Sequence, residues 1–153
     1  MNRRSSGVAY GLLLAGQTAA ASALFWIVFP WFRQLINHIG EQHELTLSQH
    51  IAIMTFATLL HGFYWTRLRW VPVVAPFRNV FLAHLCSFWS RVSFFFGSAL
   101  FSTLFFRHLP ELETLPSLGR IVLGVFEIVT VLFALFCYSR DLERLAKVLE
   151  EPQ

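Results

Sequence analysis

The chain has 153 residues, 56% of them hydrophobic and 14% charged, with a formal net charge of +3. Soluble domains carry about 25% charged residues, so the composition excludes an ordinary water-soluble enzyme and predicts one membrane domain over residues 1–153. Charge is then a matter of topology, and it gives no reason to expect a nucleic-acid partner.

The first apolar segment runs about 8–29. Arg3 and Arg4 followed by an apolar run resemble a signal peptide, but the run continues through Leu24-Phe25-Trp26-Ile27-Val28-Phe29. That is too long for a signal core, so a retained transmembrane helix is expected. Within it Gly7, Gly11, Ala15, Ala19 and Ala23 recur every fourth residue and form one smooth face. Helices in lipid associate by close approach over small residues, so this face serves either internal packing or docking of another subunit. After Pro30, residues 31–42 are expected to form a short interfacial helix on the outer side.

The second segment, about 51–66, is the weakest, being short and interrupted by His61. The third, about 80–106, follows Pro72 and Pro76. It carries His84, Ser87, Arg91, Ser98 and Ser102 at spacings that share one side of a helix. This polar stripe is expected to face the interior, with Phe94, Phe95, Phe96 and Phe101 on the other faces, toward lipid or in packing. The fourth segment, about 121–138, follows Pro110 and Pro116 and carries Glu127 and Thr130. The tail 139–153 is expected to continue it as an amphipathic cytoplasmic helix with Leu142, Leu145 and Leu149 on the apolar face, in contact with a partner.

Orientation follows from Lys and Arg in the short loops. The N-terminus, the loop after the second segment and the tail hold eight, against three in the other two loops. Both termini are therefore expected in the cytoplasm, in an antiparallel four-helix bundle of a bacterial inner membrane. Tyr10, Tyr64 and Tyr138 all fall at the cytoplasmic ends.

Three groupings could carry chemistry. Arg91 and Glu127 come out at similar depths on sequential helices, roughly 16 Å and 20 Å from the cytoplasmic side. They are expected either to pair and fix helix register or to form part of an ion route or an anionic head-group anchor, with Thr130 adding a hydrogen bond. His61 and His84 reach comparable depth on successive helices, which would suit axial ligation of haem b or interhelical hydrogen bonding. His38, Glu41, His43, Glu44 and His50 cluster on the outer side but lack a zinc spacing. His50 and His61, eleven residues apart, share a helix face. Cys86 and Cys137 form no CxxC and are expected to be reduced core residues. No nucleophile arrangement or glycine-rich phosphate loop is present. The expected function is a non-enzymatic accessory or assembly subunit, docking through the small-residue face of the first helix onto other integral membrane subunits or a second copy. The alternatives are a small oligomeric transporter built on the Arg91/Glu127 seam and a haem b electron-transfer module.

Overall fold

A computed structural model describes residues 3–37, 45–71, 78–108 and 118–150. Its described residues form four helices, α1 Arg3–Asn37, α2 Leu47–Trp70, α3 Val80–His108 and α4 Leu118–Glu150. Three stretches are long and apolar enough to span a membrane, Gly7–Gln34, Val80–Thr103 and Val122–Glu150. α2 is the helix that does not reach that measure, as its His61 and short apolar run foreshadow.

Two helices differ in extent from expectation, α1 at its end and α2 at both ends, Leu47–Trp70 against about 51–66. α1 runs through Pro30 to Asn37, so Trp31–Asn37 is its last turns and not a separate interfacial helix; residues 38–42 lie outside the described residues. Continuity through Pro30 costs one backbone hydrogen bond, while Trp31 and Phe32 on the far side still pack against the main apolar core. α2 starts at Leu47 because Thr46 forms a capping box. Its hydroxyl accepts from the Gln49 amide at 3.4 Å, and the Gln49 side chain accepts from the Thr46 amide at 2.9 Å. Asn79 caps α3 in the same manner, its side-chain oxygen 3.0 Å from the Leu82 amide.

Every helix buries residues at alternating spacings of three and four. On α2 these are Ile53, Ala57, Leu60, Tyr64 and Arg67; on α3, Ala83, Cys86, Ser90, Ser93, Gly97 and Leu100. On α4 the series is Val131, Leu135, Tyr138, Leu142, Leu145 and Leu149, and on α1 it includes Tyr10, Gln17, Ala21, Leu24 and Val28. A sustained 3.5-residue period keeps one seam of a helix against its neighbours over many turns.

α3 packs most extensively on α4, α1 on α2, and α2 on α4. The contacts Tyr10/Arg67 and Gly16/Phe63 run in opposite senses along α1 and α2. So do Ser90/Ser139 and Gly97/Leu135 along α3 and α4. Those joining α2 to α4 run in the same sense. Between α1 and α3 the principal contact is aromatic, Phe25 edge-on to Phe96 at 4.7 Å. Leu145 and Leu149 pack with Tyr10, Ala83 and Cys86 in a second small core, and Leu142 joins the main one. The apolar face of the tail helix is therefore covered by this chain itself.

Candidate functional site

A buried charged contact lies outside the groupings expected from the sequence. Arg67 and Asp141, only 2% and 4% exposed, form an ion pair between α2 and α4. The guanidinium also lies over the Tyr10 ring, 4.8 Å from its centroid, which joins α1 to the same point. Arg67 occupies the next heptad position after Leu60 and Tyr64, and Asp141 lies in register with Ala134 and Tyr138. Both were legible as buried from that phase. Reading depth alone left them at solvated helix ends.

At the opposite end of the same seam, Glu127 pairs with His50, whose Nδ1 lies 3.0 and 2.8 Å from the two carboxylate oxygens. This pair is far wetter, with side chains 43% and 16% exposed. The expected Arg91–Glu127 pair does not form. Between the two ends His61 Nε2 lies 3.3 Å from the Thr130 carbonyl. His50, His61, Glu127 and Thr130 thus share the α2/α4 seam. The Thr130 hydroxyl donates to the Phe126 carbonyl of its own helix at 2.7 Å and does not reach Glu127. Of the outer cluster, His38, Glu41, His43 and Glu44 lie outside the described residues.

The α3 stripe points the other way from expectation. Arg91, Ser98, Ser102 and His84 are exposed and Ser87 is half-buried. The inner face is the small-residue series Ala83, Cys86, Ser90, Ser93 and Gly97. At its centre Ser90 and Ser139 bond reciprocally: each hydroxyl donates to the other's backbone carbonyl at 3.0 Å, and the hydroxyls are 2.8 Å apart. The physical reason is the one that governs helix association in lipid: close approach selects small residues, and polarity alone does not. His84 lies 3.8 Å from Glu150 at the surface while His61 faces α4, so the two imidazoles are not brought together. Cys86 and Cys137 are free and buried, in line with small core residues.

The α1 ladder also faces outward. Gly11, Ala15 and Ala19 are exposed, and Gly7 and Ala23 half-buried. A Cβ built on Gly7 or Gly11 meets no atom within 4 Å, whereas one on Gly16 comes to 3.1 Å from the Phe63 ring. Internal packing therefore uses Gly16, and the middle of the ladder, Gly11, Ala15 and Ala19, is left open. On the inner side of α1, Gln17 is fully buried, and neither atom of its amide has a hydrogen-bond partner among the described residues.

Two apolar grooves open on the exterior. One, of about 570 Å³, lies between α1 and α3 and includes Trp26, Phe29, Trp89 and Phe96. The other, of about 300 Å³, lies between α3 and α4 and includes Ser98, Ser102, Leu132 and Phe136. No protein-family model, curated protein or solved structure matches this chain.

Proposed function

We propose that this chain is a non-enzymatic subunit of a larger inner-membrane assembly, docking a partner helix on the small-residue face of α1. In this reading the four helices form an antiparallel bundle with both termini in the cytoplasm, as the eight-to-three distribution of loop cations favours. The bilayer surface lies where α3 and α4 bring Arg91 and Arg140 to one level, beside the Ser90–Ser139 contact. The stretches 10–29, 47–66 and 121–139 then each come close to the roughly 20 residues that a span requires, and α3 contributes residues 91–108, which begin inside its apolar stretch Val80–Thr103. The ends of α3 and α4 beyond that level, with His84, Lys147 and Glu150 exposed beside Phe81, Phe88 and Trp89 and with Glu143 half-buried, project into the cytoplasm.

The observation that carries the reading is the outward orientation of the ladder. A smooth face of glycine and alanine gains little against mobile lipid chains. Against another helix it permits close backbone approach. The translocation alternative required Arg91 and Glu127 on one seam, and they lie on different faces; the haem alternative required His61 and His84 to converge. The subunit reading keeps its geometric basis.

Purification of the tagged chain from its native membrane in mild detergent tests it. An integral membrane partner in fixed stoichiometry is expected, whether a second copy or a different chain. Gly11→Leu with Ala15→Leu should reduce its recovery by about tenfold or more, an effect of at least about 1.4 kcal/mol, while the unfolding midpoint stays unchanged. A chain recovered alone, or an association indifferent to these substitutions, overturns the proposal.

A further inference from the structure

The groove between α3 and α4 has an unusual mouth. Ser98 and Ser102 line its α3 wall, and Arg91 lies on the same face of α3 seven and eleven residues earlier. Phe136 lines its α4 wall, and Arg140 follows one turn later on that face. The two helices run in opposite senses, so both cations come at the same end of the groove. Their level is fixed by their immediate neighbours, since Ser90 and Ser139 bring their hydroxyls within 2.8 Å. Both guanidinium groups are exposed. Arg140 makes a peripheral contact with Glu143 at 3.5 Å, an exposed i,i+3 pair of the weak kind. Arg91 has no carboxylate partner among the described residues.

An apolar cleft with two cations at one end matches one class of molecule. We infer that this groove binds an anionic phospholipid, with an acyl chain along Gly97, Phe101, Leu132 and Phe136 and the phosphate between Arg91 and Arg140. Guanidinium groups are well suited to phosphate oxygens, and a lipid phosphate sits at the bilayer surface, the level that the proposed membrane placement gives these arginines. The groove volume of about 300 Å³ is at the small end of ligand sites and suits one chain better than a whole lipid. A second copy is a poor occupant, since self-pairing about this face would oppose arginine with arginine. The inference rests on the membrane placement above and is independent of the small-residue face of α1.

Native mass spectrometry of the purified chain tests it, with phosphatidylglycerol, phosphatidylcholine of the same acyl composition, and inorganic phosphate as probes. The chain should retain one phosphatidylglycerol with a preference of about tenfold over phosphatidylcholine. Arg91→Gln with Arg140→Gln should remove the preference, and Arg91→Lys with Arg140→Lys should keep part of it. Ser98→Phe, which fills the cleft without touching the charges, should weaken retention of phosphatidylglycerol by a similar factor. Equal retention of the two lipids, or a preference that survives loss of both arginines, overturns the inference. So does an anion site that inorganic phosphate occupies and that Ser98→Phe leaves intact, since the cleft would then play no part. Gly11→Leu should leave lipid retention unchanged, which separates a failure here from a failure of the docking proposal.

Discussion

Among the described residues, two contacts between a basic and an acidic side chain tie α2 to α4, one at each end of the same seam, and they differ in everything but that pairing. Arg67–Asp141 is sealed by Tyr10 and the small core around it, while His50–Glu127 has a histidine almost half exposed. Burial makes the first pair costly to break, because a lone charge left there has neither water nor a counter-ion. Exposure makes the second dispensable, because water replaces either partner. The seam is therefore asymmetric: rigid where α1, α2 and α4 meet at Tyr10, and loose at the end where α2 begins.

The sharpest way to break that comparison is to remove one charge from the sealed end. Asp141→Ala should destabilise the fold by about 3–5 kcal/mol, measured by reversible denaturation in detergent. Arg67→Met combined with Asp141→Leu should recover most of that loss. If the single variant costs no more than a surface change, the pair is solvated and the asymmetry disappears. Gln17→Leu is the next largest effect and has the opposite sign. Replacing an unpaired buried amide by an apolar side chain of similar size should stabilise by about 1–3 kcal/mol. A loss of stability there would mean that the amide has a water or ligand partner. Smaller again is the reciprocal serine contact. A double-mutant cycle on Ser90→Ala and Ser139→Ala should give a coupling of about 0.6–1.7 kcal/mol, the range of hydrogen bonds between helices in lipid. The smallest change is His50→Gln, with a loss of no more than about 1 kcal/mol.

Much of the fold can be read from the residues, and the errors share a cause. The four helical segments, the weakness of the second and the continuity of α4 into its tail all follow from runs of apolar residues, which act locally. The fate of Arg91 does not. The cost of polar groups in lipid points its stripe to the interior, yet α3 has a second series, Ala83, Cys86, Ser90, Ser93 and Gly97, that matches the requirement for close approach better. The heptad phase of α2 points directly at Arg67, and that signal was available. Choosing Asp141 as its partner needed the knowledge that α2 packs on α4, which sequence neighbours do not reveal. Glu127 was paired with the helix adjacent in sequence, and the chain pairs it with α2 instead.

The all-helical, membrane-compatible character of the chain, the positions of its helices and the end at which its cations gather follow from the residues alone. Each depends on composition along a single segment and on the cost of charge in hydrocarbon. Which face of each helix is inside, and which charges meet, comes from the packing of the helices on one another. Those choices depend on register and neighbour identity, where a rotation of a few tens of degrees moves Arg91 from the core to the mouth of an outer groove.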